Sequence, residues 1–172
     1  TNWTEVGDLN TARQHLRTAG QTNTDALAFS GEITAVSALT ESWNGTAFTE
    51  EADLATARAY VAQAGSGNTS ALCSGGYAPP SNTTATEEWT GAGAAVGAWS
   101  TSGSLNLARN LVAGAGTQTS ALAFGGYKGS DPKSAETEEY NGSSWTEVND
   151  LNTGRQGLGG FGVNAEACLA TG

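Results

Sequence analysis

Asp8-Leu9-Asn10-Thr11-Ala12-Arg13 returns three times along the chain. It recurs as Asp53-Leu54-Ala55-Thr56-Ala57-Arg58, as Ser104-Leu105-Asn106-Leu107-Ala108-Arg109 and as Asp150-Leu151-Asn152-Thr153-Gly154-Arg155. The arginines are 45, 51 and 46 residues apart. Self-similarity at such a period marks a repeat architecture. Working outward, an aromatic precedes each copy at the same offset: Trp3, Phe48, Trp99 and Trp145. A small apolar run follows each: Ala26-Leu27-Ala28-Phe29, Ala71-Leu72-Cys73, Ala121-Leu122-Ala123-Phe124 and Ala167-Cys168-Leu169-Ala170. Ser30-Gly31, Gly75-Gly76, Gly125-Gly126 and Thr171-Gly172 close those runs, and Thr40-Glu41-Ser42-Trp43, Thr86-Glu87-Glu88-Trp89 and Thr137-Glu138-Glu139-Tyr140 come next. The 172 residues read as one domain of repeat units at approximately 1–45, 46–96, 97–142 and 143–172, the last incomplete.

Each unit holds four short runs separated by turn residues. Asn44-Gly45 and Asn141-Gly142 sit between an acidic-aromatic run and the next aromatic, which predicts an antiparallel hairpin. The Ala-Leu-Ala-Phe run reads as a buried strand. The Ala/Gly-rich stretch after each arginine suits a strand in a crowded place where backbones approach closely. Residues 54–64 have helical propensity, but their repeat copies contain Gly and Thr, which overrides it. The prediction is all-β: about four blades of four antiparallel strands in a β-propeller, with small residues innermost and aromatics between blades.

Gly75-Gly76-Tyr77 and Gly125-Gly126-Tyr127, each followed by an acidic strand, a Trp and an Arg, resemble the kelch repeat of the galactose-oxidase-like propellers. The resemblance covers essentially the whole chain, although the double Gly is intact in two of the four copies and Phe48 replaces one Trp. Thr-Glu-Glu-Tyr-Asn-Gly-Ser-Ser-Trp with Leu-Asn-Thr-Ala-Arg is similar in style to kelch-like repeats of bacteriophage structural and tail proteins. The Tyr, His and Cys ligands of the galactose oxidase copper site have no counterparts here, so the resemblance does not carry that activity. The chain begins in the fourth strand of a unit and stops after the second. Ring closure by residues 2–6 joining the last blade is therefore expected, with a segment of a longer or multi-chain propeller as the alternative reading.

Composition excludes several function classes. Seventeen acidic residues against seven basic ones give a net charge of −10, which disfavours nucleic acid and anionic membrane surfaces as partners. No run of 18 apolar residues occurs, so no membrane insertion is expected. Charged residues are only 14%, and five Trp, four Tyr, four Phe and 24 Gly imply a core of aromatics and small side chains.

His15 is the single histidine, and its repeat position holds Tyr60, Leu111 and Gly157 in the other copies, which favours a surface or packing role over catalysis. Cys73 and Cys168 fall in equivalent strands of distant blades, so no disulfide and no zinc cluster is expected. Asp8, Asp53 and Asp150 recur at the repeat period, which points to satisfying loop amides or pairing with Arg rather than binding calcium. Glu87-Glu88 and Glu138-Glu139 alternate faces of a strand and form no catalytic dyad. Five Asn-x-Ser/Thr sequons occur, two of them in the Asn-Gly turns. Arg13, Arg58, Arg109 and Arg155 fit either a clamp between blades or a ring around one mouth of the channel. Tyr77, Tyr127 and Lys128 flank the variable loops 32–39, 78–85 and 128–136 on that same face.

The expectation is a non-enzymatic structural or binding module without metal or cofactor, with a virion or extracellular setting favoured and glycans or proteins as partners. The alternative is an assembly module, a homo-oligomer completed by strand exchange with a neighbouring chain. A hydrolase or lyase on a propeller scaffold is the weakest reading, given the residue inventory.

Overall fold

The structure, a computed structural model, describes residues 2–91, 97–130 and 132–172. The unit boundary read at 96 and position 131 in the third variable loop lie outside the described residues. The fold is all-β. The first sheet comprises β1 (Arg17–Thr22), β2 (Asp25–Phe29), β3 (Thr40–Trp43) and β4 (Phe48–Glu50), paired in that order. The second holds β5 (Ala62–Gly67) and β6 (Ser70–Ser74); a short hairpin of β7 (Tyr77–Ala78) and β8 (Ser81–Asn82) interrupts it before β9 (Thr86–Thr90) and β10 (Ala98–Ser102) complete it. The third is β11 (Ala113–Thr117), β12 (Ser120–Phe124), β13 (Thr137–Tyr140) and β14 (Trp145–Val148). The fourth, among the described residues, pairs β15 (Gly159–Gly162) with β16 (Cys168–Thr171).

The first strands of successive sheets pack in sequence, β1 on β5, β5 on β11 and β11 on β15. Thr18, Gln63, Gly114 and Gly160, one from each, line a shared cavity of about 200 Å³. The crowding read from small residues is real here. A Cβ on Gly114 would lie 2.4 Å from the Gln63 carbonyl oxygen, and one on Gly160 would lie 2.3 Å from that of Gly114.

Aromatics tie one sheet to the next. Trp99 Nε1 of the second sheet donates to Thr40 Oγ1 of the first at 2.9 Å, and Trp145 Nε1 of the third donates to Thr86 Oγ1 of the second at 3.0 Å. Leu27 is buried in one cluster with Trp89 and Trp99, and Leu72 in another with Tyr140 and Trp145. Within their own sheets, Trp43 and Trp89 donate to the carbonyls of Asn23 and Asn68, fixing the turns between the first two strands.

Both predicted Asn-Gly hairpins form: Trp43 pairs with Phe48 and Tyr140 with Trp145, each across a four-residue loop. Gly45 and Gly142 take positive φ of 90° and 92°. The Asn44 and Asn141 side chains instead accept backbone amides, those of Thr46 and Ala47 and of Ser143 and Ser144.

Ring closure by residues 2–6 is corrected. No strand forms there, Trp3 is fully exposed rather than packed between blades, and the sheets do not close. The segment lies along the first sheet, lining a cavity of about 590 Å³ with Thr22, Ala26, Trp43 and Phe48.

Candidate binding site

The site is built on the loops that follow the second strand of each sheet. Each begins with two residues in the left-handed region: Ser30-Gly31, Gly75-Gly76 and Gly125-Gly126. At the second position a side chain has no room. A Cβ on Gly126 would lie 2.7 Å from the Asn110 oxygen, and one on Gly76 would lie 2.6 Å from that of Ala59. The tight reversal lets the loop hook the next unit: the Gly126 amide donates to the Arg155 carbonyl at 2.8 Å. Tyr127 and Asn110 then exchange backbone hydrogen bonds of 2.7 and 2.9 Å, as Tyr77 does with Ala59 and Glu32 with Gln14.

This places Tyr77, Tyr127 and Lys128 around one open cleft of about 450 Å³, completed by Pro80, Asn82 and Asn110. The Asn82 side-chain amide donates to the Tyr127 carbonyl at 2.9 Å, tying the β7–β8 hairpin of one unit to the loop of the next. The Asn110 Oδ1 is buried with no hydrogen-bond partner. Lys128 is exposed, and its ammonium pairs with Glu136 at 2.9 Å. A hydrogen bond from Ser134, then the Lys128 charge, holds the Glu136 carboxyl at about 2, well below the usual carboxylate range.

The arginines sit elsewhere. Arg13, Arg58 and Arg109 pair with Glu41, Glu87 and Glu138, all with almost no side-chain exposure. Each carboxylate also accepts a backbone amide from the loop leading to its arginine, that of Asn10, Ala55 or Asn106. The clamp therefore locks a connecting loop onto the sheet it enters. The Arg partner is the glutamate of the third strand and not the Asp five residues before it. Asp53 and Asp150 accept the amides of Thr40 and Thr137 in the sheet being left. Arg155 is exposed and donates to the Gly172 carbonyl at 2.9 Å.

Glu87 and Glu138 are buried while Glu88 and Glu139 are not, as strand alternation requires. Burial pushes the Cys73 thiol up; Cys73 and Cys168 are both free. Among the described residues, no three His, Cys, Asp or Glu side chains gather as metal ligands.

Two contributors escaped the sequence reading. Asn82 and Asn110 lie at positions that differ between copies, where a repeat argument has no signal. The position of His15, Tyr60 and Leu111 is a left-handed turn in each copy, φ 55°, 59° and 52°, which its glycine at 157 hinted at. There the His15 and Tyr60 rings stack at 4.5 Å, and the Tyr60 hydroxyl donates to Glu32 at 3.0 Å. Burial and that hydrogen bond raise the Tyr60 hydroxyl above its usual value. No family model matches the chain, and no curated protein matches it.

Proposed function

We propose that this chain is a non-enzymatic recognition module: a kelch-type β-propeller array whose variable-loop face binds a glycan, in a setting such as a virion or surface appendage. The cleft carries the reading. Two tyrosines, two asparagines and a lysine line one open hollow of glycan-ring size on a rigid scaffold. Tyrosine faces cover the apolar face of a sugar ring, and Asn110 and the Lys128 ammonium stand beside them as polar groups for its hydroxyls, the pairing of flat contact with few placed polar groups that small-ligand sites use. Packing of the first strands around a shared cavity supports the propeller arrangement. The buried Arg13, Arg58 and Arg109 serve the scaffold in this reading.

Glycan-array screening followed by calorimetry tests it. Asn110→Ala and Tyr127→Ala should each weaken the best glycan by at least ~10-fold, the loss of about one good contact, with the melting temperature of Asn110→Ala near wild type. Glycan binding that survives both substitutions, or an array without a hit, refutes the assignment.

A further inference from the structure

The charge on the cleft is already balanced within the protein. Among the described residues that line it, Lys128 is the one charged side chain. Its ammonium meets Glu136 Oε1 at 2.9 Å, and both side chains are less than a third exposed. The other carboxylate oxygen, Glu136 Oε2, accepts the hydroxyl of the buried Ser134. Arg109 Nη1 in turn donates to Ser134 Oγ at 3.4 Å and to the Glu136 carbonyl. A hydrogen-bond chain therefore runs from the buried Arg109 through Ser134 and Glu136 to the cleft. The Ser134 hydrogen bond, then the Lys128 charge, keeps the Glu136 carboxyl ionised by holding it at about 2. The pair is peculiar to this unit, since Ile33 and Ala78 take the place of Lys128 in the first two. Elsewhere Arg13, Arg58 and Arg109 are buried against Glu41, Glu87 and Glu138, in a chain of net charge −10. They offer no exposed cation to a ligand.

We propose that the cleft selects neutral glycans, with Glu136 as the residue that turns away uronic, sialic and sulfated sugars; the inference rests on the glycan reading of the site. An anionic sugar seated by Tyr77 and Tyr127 meets no unbalanced cation. To reach Lys128 it must displace a carboxylate that is anchored at its other oxygen. It must also enter the field of a strongly acidic chain, and like charges brought together across an interface are costly. A neutral sugar meets neither obstacle. An ammonium carries three N–H donors, so Lys128 can hold Glu136 and still donate to sugar hydroxyls. Specificity here comes from a group held ready against the wrong ligand, as well as from contacts to the right one.

The test applies the intact chain to an array that holds each neutral glycan beside its sialylated, uronate and sulfated counterparts, then measures the best matched pair by calorimetry. Wild type should bind the neutral member at least ~10-fold more tightly. The gap should narrow at about 1 M salt, where the screening length falls to about 3 Å. Glu136→Gln leaves the Lys128 charge unbalanced and should cut the neutral-to-acidic affinity ratio at least ~10-fold. Adding Lys128→Gln to that variant should bring the ratio back towards wild type. An acidic member that binds wild type as tightly as the neutral one overturns the inference and leaves the glycan site standing. So does a ratio that Glu136→Gln does not move in a variant that still unfolds cooperatively. Absence of binding by every neutral and acidic glycan overturns the glycan reading, and this inference with it. The wild-type comparison and its salt dependence decide the matter even if the variant does not fold.

Discussion

Arg109 and Glu138 form an ion pair of 2.9 Å at the inner end of the third sheet, with both side chains all but removed from solvent. The guanidinium also donates to the carbonyls of Gly125, Ala123 and Glu136, and the carboxylate accepts the Asn106 amide at 2.6 Å. One pair thereby joins the incoming loop, the double-glycine turn and the third strand. Taking two charges out of water is costly, and the surrounding hydrogen bonds offset that cost.

Breaking this pair from either side should be severe. Glu138→Ala leaves a buried guanidinium without its counter-ion and should destabilise by about 3–5 kcal/mol. Arg155→Ala, at the equivalent but exposed position, should change stability by less than about 0.5 kcal/mol. Urea unfolding of the two variants checks the contrast, and similar losses would mean that the clamp is not what holds the loop.

The inter-sheet tryptophans should divide in the same way. Trp145 is 6% exposed and hydrogen-bonded to Thr86, so Trp145→Ala should cost about 3–5 kcal/mol. Trp3→Ala, at the same repeat position, should leave the unfolding midpoint of the dilute chain nearly unchanged because Trp3 is fully exposed. A large loss from Trp3→Ala would show that the N-terminal segment packs in solution.

The contrast between Trp3 and Trp145 also marks how far the sequence can be read. Strand order, sheet membership and the crowded first strand were legible because they recur in each unit and depend on neighbours within it. The fate of Trp3 was not, since it depends on contacts outside its own unit, which local pattern does not encode. The partner of Arg58 was ambiguous for a different reason. Asp53 and Glu87 both recur with the period, and only the folded register shows that Glu87 reaches the guanidinium while Asp53 holds the Thr40 amide. The cleft was half legible. Tyr77 and Tyr127 stand out in the repeat, whereas Asn110 takes a place held by Gln14 and Ala59 in other copies, and copy-specific residues leave no periodic trace.

The double-glycine turn offers a test of backbone geometry. Gly126 has φ 109° and would bring a Cβ within 2.7 Å of the Asn110 oxygen. Gly129 has φ 94° with nothing within 4 Å of its Cβ position. Gly129→Ala should therefore carry only the left-handed penalty, about 1–2 kcal/mol, and Gly126→Ala distinctly more, because the Tyr127–Asn110 bridge must move. Thermal unfolding ranks the two, and equal losses would mean that the loop adjusts without resistance.

Acid should reach the variable-loop face through Glu136. Its carboxyl ordinarily titrates near 4.5 and is held at about 2 by the Ser134 hydroxyl and Lys128. The folded state therefore releases this proton more readily than the unfolded chain. The resulting stabilisation is complete above about pH 4.5 and is lost as pH falls through about 2. Glu136→Gln removes that dependence while keeping the side chain's size. Urea midpoints measured from pH 5 down to about 2 should draw together for the two proteins as acid removes the wild-type advantage. Because Lys128 lines the cleft, the same protonation frees its ammonium, so the Lys128 side chain should move more freely over that interval. Midpoint curves that stay parallel throughout would show that the Ser134–Glu136–Lys128 cluster contributes nothing to holding the loop.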